Sequence, residues 1–129
     1  MRENSELMVI TKARDLAGYV FAISENAPKK FRFSLIAKMQ NSTLEILESL
    51  ILANEVHPGE SPQANQRRRE YQQHAIAKLK SLDAVALIAR EQSCILPKQY
   101  ETLTRYIHDC IHLTGAWISS DKRRSGIGL

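Results

Sequence analysis

The stretch at residues 36–54, IAKMQNSTLEILESLILAN, decides the fold class. Its seam of Ile36, Met39, Thr43, Leu47 and Leu50 recurs every three or four residues, which is the period of one face of an α-helix. Further apolar residues widen this seam, namely Phe33, Leu35, Leu44, Ile46 and Ile51. A stripe this broad needs contacts on two sides, so it predicts a bundle helix that also meets another subunit.

Three other segments have the same helical period. Their seams are Val9, Ala13, Leu16, Val20 and Ile23, then Ala75, Leu79, Leu82, Ala86 and Ala89, and finally Tyr100, Leu103, Ile107, Cys110, Thr114 and Trp117. We predict an all-α, antiparallel up-down-up-down four-helix bundle, with helices at about 5–24, 30–54, 63–92 and 97–120, because most joints are short. The loop 55–62 contains two prolines and a glycine. Residues 1–121 form the predicted single domain, and residues 122–129 a flexible basic tail.

Composition limits the class of protein. The 129 residues suit one domain, which buries roughly two thirds of its extended surface on folding. No apolar run approaches the roughly 20 residues of a membrane span, and no secretory leader is recognisable. We therefore expect a cytoplasmic protein without a membrane segment, in which Cys94 and Cys110 are reduced thiols.

The most catalytic-looking motif is a pair of histidines in the fourth helix. His108 and His112 are four residues apart, so they share a helix face and could chelate zinc, with Asp109 after the first. No clear third ligand follows, and a solvated or subunit-contacting polar helix face explains the pair without a metal. Glycine-rich phosphate loops, nucleophile elbows and CxxC pairs are absent from the sequence. We predict a binding protein with no catalytic residues, metal or cofactor, and a zinc-dependent hydrolase that uses His108 and His112 is a third hypothesis.

Basic residues are more organised than the rest of the polar surface. The net charge is +4, and residues 61–92 carry six Lys or Arg against three Asp or Glu, while residues 31–60 carry two against four. The clusters are Lys29, Lys30 and Arg32; Arg67, Arg68 and Arg69; Lys78, Lys80 and Arg90; and Lys122, Arg123 and Arg124. One such cluster is compatible with an ordinary solvated face. Together they predict a surface that binds nucleic acid or an acidic partner.

Several stretches resemble a known family in their order and spacing. They are PKKFRF at 28–33, KMQN at 38–41, LEILESLI at 44–51, LPKQYE at 96–101 and GAWI at 115–118. Over residues 5–122 the chain resembles the accessory variability determinant (Avd) proteins of diversity-generating retroelements. The four-helix proteins encoded in ribosomal RNA intervening sequences are also similar, but their helix two usually carries a Ser-Ile-Pro-x-Asn-Ile-Ala-Glu-Gly type of stretch. This chain has neither that proline nor that glycine in the region, which favours the retroelement branch.

The resemblance implies a function and an assembly. Avd proteins form barrel-like homopentamers and bind the retroelement reverse transcriptase and its template RNA. Lys80 matches a basic helix-three position implicated in partner binding, whereas Ala84 stands where a second basic residue is expected. We also expect Gly115 to permit close helix approach, and Trp117 to be a core residue. The alternative is a structural or interaction bundle of the intervening-sequence type, with no nucleic-acid role.

Overall fold

A computed structural model describes the backbone of residues 2–124 and the side chains of residues 8–124. Four α-helices make up most of this part: α1 is Arg2–Ser24, α2 is Ala37–Glu55, α3 is Pro62–Glu91 and α4 is Pro97–Arg124. No β-strand occurs in these ranges, so the all-α prediction is confirmed. Within them, no helix combines the length and the apolar character that crossing a membrane requires. Residues 125–129 of the predicted tail lie outside the described residues.

The four helices enclose a hydrophobic core. Helices α1 and α3 each pack against both α2 and α4, which is consistent with a four-helix bundle. The predicted seams of α1 and α3 are buried throughout, and Trp117 of α4 is only 2% exposed. In α2, Ile46 is fully buried, whereas Leu47 of the predicted seam is half-buried. Each fully buried Leu or Ile side chain stabilises the fold by about 1.5–3 kcal/mol.

The joint between α1 and α2 departs from the predicted continuous helix at 30–54. A 3-10 turn, Lys29–Phe31, is followed by a π-helical turn, Arg32–Ile36. With α-helical spacing, the inward-facing Ile36 would have Phe33 beneath it on the same face, whereas the wider π spacing brings Phe31 there instead. Accordingly Phe31 packs against the core, while Phe33 is 88% exposed. The π turn therefore places the partly buried Phe31 ring against the core and leaves Phe33 in solvent.

Short polar contacts define the start of α3. Ser61 Oγ accepts a hydrogen bond from the Ala64 backbone N–H at 3.0 Å, and Pro62 follows as the first helical residue. In the preceding loop, Gly59 has a φ of 85°, a conformation that glycine adopts at little cost. The Gly59 N–H donates to Asn65 Oδ1 at 2.8 Å, which ties the loop to the first turn of the helix.

The expectation that Gly115 lets another helix approach α4 closely is wrong. A Cβ atom built at this position would have no heavy atom of the described residues within 4 Å, if its two chain neighbours and the adjacent α4 backbone are left out. Gly115 is half-buried on α4, two residues before Trp117. The small residue therefore leaves space beside the helix rather than admitting another backbone.

Candidate nucleic-acid and partner interface

Arg68 is buried, although the sequence predicted it on the partner-facing surface. Its side chain is 3% exposed, so the prediction that Arg68 contacts RNA or a partner protein is wrong. The neighbouring Arg67 is exposed and Arg69 is half-buried. Successive residues of an α-helix point about 100° apart, so three consecutive arginines face three directions and one of them meets the core.

The carboxylate of Asp121 holds the Arg68 guanidinium. Arg68 Nε donates to Asp121 Oδ2 at 2.7 Å, and Nη2 donates to Oδ1 at 3.2 Å, which is the bidentate geometry of a strong charge-assisted pair. Arg68 Nη1 donates to the backbone carbonyls of Ala53 at 3.2 Å and Val56 at 2.8 Å. The guanidinium carbon also lies 4.9 Å from the centre of the Trp117 ring. One side chain thus connects the end of α2, the start of α3 and the end of α4.

Gln72 and Arg124 also donate hydrogen bonds to Asp121. Gln72 Nε2 donates to Oδ2 at 3.0 Å, and Arg124 Nη2 donates to Oδ1 at 2.6 Å. These bonds anchor the last turn of α4, which continues through Arg124. The predicted start of a flexible tail at residue 122 is therefore wrong, since Lys122, Arg123 and Arg124 are helical. Cations in this last turn also interact favourably with the helix dipole.

The Arg68–Asp121 pair brings two predicted basic clusters together. Arg67 and Arg69 flank one partner, and Lys122, Arg123 and Arg124 follow the other, although the paired residues are 53 positions apart in sequence. We call these five cations the basic end. Such a concentration of Lys and Arg attracts phosphate groups through salt-dependent, sequence-independent electrostatics.

The remaining helix-three cations differ in their contacts. Lys78 Nζ lies 2.9 Å from Glu45 Oε1, and this hydrogen bond with the lysine charge lowers the pKa of the Glu45 carboxyl below its usual value. The Lys78 ammonium therefore already pairs with a carboxylate of α2. Lys80 is exposed, and the exposed Arg90 has its guanidinium carbon 5.6 Å from the centre of the Tyr100 ring. Lys80 and Arg90 thus remain suited to an outside partner.

The first basic cluster lies beside a groove. Lys29, Lys30 and Arg32 are all exposed, and the groove of about 400 Å³ is lined by Lys29 and Arg32 together with the following residues: Phe21, Ser24, Glu25, Asn26, Ala27, Pro28, Ile36 and Gln40. The charged residues that line the groove are Lys29, Arg32 and Glu25. Its charged lining therefore has an excess of one positive charge.

His108 contacts an acidic residue of the neighbouring helix. Its Nε2 lies 3.3 Å from Asp83 Oδ2, so the ring bridges α4 and α3. Among the residues that the structure describes, no three His, Cys, Asp or Glu side chains are grouped so that they could hold a metal ion. His112 is exposed on the same face of α4. The contact between His108 and Asp83 is the kind of polar contact that a polar face of α4 makes with a neighbouring helix.

Both cysteines are free thiols inside the fold. Burial raises the pKa of the Cys94 thiol. Burial, followed by the charge of Asp109, raises the pKa of Cys110 to about 12. A thiol that keeps its proton is a poor nucleophile and metal ligand, so both residues behave as small apolar core groups.

Asp121 and Gln72 are the important residues that sequence reasoning missed. The α4 seam ends at Thr114 and Trp117, and the next position at this spacing is Asp121. The α3 seam, extended backwards from Ala75, reaches Gln72 and then Arg68. A buried acid on one seam and a buried arginine on the other were thus encoded in the spacing, because a charge on a core face needs a partner.

No protein-family model matches the chain, and no curated protein is significantly similar to it.

Proposed function

We propose that this protein is a non-catalytic accessory protein of a diversity-generating retroelement, which binds the reverse transcriptase and the template RNA in the cytoplasm. The motifs at 28–33, 44–51 and 96–101 support the family. The observation that carries the nucleic-acid part is the basic end, where Arg67 and Arg69 flank Arg68, and Lys122, Arg123 and Arg124 follow its buried partner Asp121.

The helix pairing supports an antiparallel, up-down-up-down order in this proposal. Between α2 and α3, Ala53 meets Arg68 while Glu45 meets Lys78, so one residue number falls as the other rises. Between α3 and α4, the same reversal runs from the Arg68–Asp121 pair through Asp83–His108 to Arg90–Tyr100. In such a bundle Arg90 lies at the opposite end from the basic end, so RNA and enzyme have separate cationic surfaces to meet.

Exposed apolar residues support a homo-oligomer. The number of subunits in this proposal, five, comes from the family resemblance. Leu44 is 48% exposed and Ile51 is 42% exposed, and both line an open groove on α2 together with Asn41, Glu45, Leu47 and Glu48. Leu87 and Ile88 of α3 are exposed as well. Contiguous apolar surface of this kind is typical of protein contacts. Light scattering should give five copies of the 14.7 kDa chain, about 74 kDa, and a 14.7 kDa species would contradict the pentamer.

Salt-dependent RNA binding tests the main proposal. The full chain is titrated into a fluorescent template RNA at about 50 to 200 mM salt, and the slope of log affinity against log salt is measured. The tested pairs are Arg67→Glu with Arg69→Glu, and Lys80→Glu with Arg90→Glu. A matched double reversal, Lys38→Glu with Lys98→Glu, changes the net charge equally at exposed sites outside these clusters.

The outcomes separate specific surfaces from overall charge. We expect at least one tested pair to weaken binding about tenfold and to reduce the slope by roughly 0.7–0.9 for each lost phosphate contact, while the control stays near wild type. Equal effects of all three pairs would mean that only net charge matters. No binding at all would favour the alternative, an interaction bundle without a nucleic-acid role.

Association with the enzyme is tested separately. Co-expression with the reverse transcriptase encoded beside the gene should yield a complex that survives gel filtration. If neither a reverse-transcriptase gene nor a repeated template region lies nearby, the retroelement proposal fails, and the structural-bundle alternative is preferred.

A further inference from the structure

The most unusual exposed side chain of the described residues is Phe33. At 88% exposure it is more exposed than any other large hydrophobic residue in residues 8–124. The regular helix predicted at 30–54 would have directed it towards the seam of Ile36 and Met39. The π turn at Arg32–Ile36, which precedes α2, directs it outwards instead.

Positively charged residues lie close to this ring in the sequence. Lys29, Lys30 and Arg32 precede it within four residues, and all three side chains are exposed. The Arg32 guanidinium carbon lies 6.0 Å from the centre of the Phe33 ring, at the outer limit of a cation–π contact. On the α1 side, Lys29 and Arg32 also line the groove of about 400 Å³. An apolar protein partner would have to bury these cations, whereas a polyanion neutralises them.

Resting on the proposed function, we propose that the first joint is a stacking site for an unpaired nucleotide of the RNA. The base stacks on the exposed face of Phe33, and the flanking phosphates contact Lys29, Lys30 and Arg32. Aromatic platforms beside cationic grooves bind single-stranded nucleic acid in this way, because every base has a face that can stack and every nucleotide a phosphate. A paired base cannot reach the ring, so the site selects single strands over duplexes.

Binding of short oligonucleotides tests this site. The probe is a fluorescein-labelled RNA of about 12 nucleotides, alternating cytosine and adenine so that it does not pair with itself, and the full chain is the titrant. DNA of the same sequence and the matching RNA duplex serve as competitors. Phe33→Ala should lower the affinity for the single strand about tenfold, within a range of roughly 5- to 150-fold, and leave duplex affinity unchanged.

Matched variants distinguish stacking from charge and folding. Phe33→Trp should retain the affinity, and its fluorescence should be quenched by the RNA, since the native Trp117 is buried and contributes a constant background. Lys29→Glu with Lys30→Glu should reduce the salt slope, whereas Phe33→Ala should not. Leu96→Ala removes a similarly exposed apolar group, 63% exposed, at another joint and should have no effect.

The results separate this inference from the proposed function. If the single strand binds Phe33→Ala with wild-type affinity while reversal of Arg67 and Arg69 still weakens binding, the stacking site is wrong and the RNA-binding function stands. If Phe33→Ala instead lowers the mass seen by light scattering and leaves RNA affinity unchanged, Phe33 is a contact between copies, which also overturns the site. If the wild type binds no RNA, both proposals fall together.

Discussion

Replacing Arg68, or its acidic partner Asp121, should destabilise the fold far more than replacing any of the other Lys or Arg residues of the basic clusters. Arg68→Met keeps most of the side-chain volume and removes the charge. It keeps the hydrogen bonds that Gln72 and Arg124 donate to the Asp121 carboxylate, and it removes those that Arg68 donates to the Ala53 and Val56 carbonyls. Breaking a buried ion pair by removing one partner costs about 3–5 kcal/mol. Because donors remain, we expect about 3 kcal/mol for Arg68→Met.

The converse change should be worse. In Asp121→Leu, the Arg68 guanidinium, whose side chain is 3% exposed, loses its bidentate carboxylate partner, and the Gln72 amide loses the carboxylate oxygen that accepts its hydrogen bond. We therefore expect about 5 kcal/mol, from a total of roughly 6–19 kcal/mol for a chain of this length. The melting temperature should fall by roughly 10–20 °C.

A double-mutant cycle measures the coupling between the two residues. Urea unfolding is followed by circular dichroism at one fixed protein concentration, since an oligomer's stability depends on concentration. Arg68→Met with Asp121→Leu should cost at least about 2 kcal/mol less than the sum of the single changes, because both buried charges are then removed together. Arg67→Met, at the exposed neighbouring position, should change stability by less than about 0.5 kcal/mol. Additive single effects, or equal effects of Arg67→Met and Arg68→Met, would refute the reasoning.

Three further predictions concern stability away from this pair. Ser61→Ala removes the cap of α3 and should cost about 1 kcal/mol in urea unfolding, whereas Ser61→Asp, which can cap, should cost far less. Gly115→Ala should stabilise the chain by about 0.5–1 kcal/mol, because the space at its Cβ is open; destabilisation would show that another copy fills this space. The folded Cys110 pKa of about 12 lies above the unfolded value near 9, so the unfolded chain releases this proton first and the free energy of unfolding falls as the pH rises between these values. Relative to Cys110→Ala, wild type should lose up to about 1.4 kcal/mol of stability per pH unit in this range. A stability difference between the two proteins that stays constant with pH would contradict the pKa shift.

Hydrophobic periodicity predicted the fold class well for a physical reason. Apolar residues at three- and four-residue spacing can be buried only on one face of a helix, so the α1 seam from Val9 to Ile23 and the α3 seam from Ala75 to Ala89 were recognisable directly. Pro97 marked the start of α4 because its fixed φ suits a first helical residue. The start of α2 was not predictable in this way, since whether Phe31 or Phe33 enters the core depends on how α1 and α2 fit together.

For the candidate site, too, some features were determined by the sequence and others only by the tertiary structure. The sequence alone determined that cations are concentrated in four clusters, and that four amphipathic segments can share a core. Only the tertiary structure decided which cations face outwards: Arg68 turns in to Asp121 and connects three helices, while Lys80 and Arg90 stay in solvent. It also decided that Phe33 is exposed and that residues 122–124 are helical. The physical reason is that composition and spacing specify what a residue can do, but burial and charge pairing depend on partners distant in sequence, as the 53 positions between Arg68 and Asp121 illustrate.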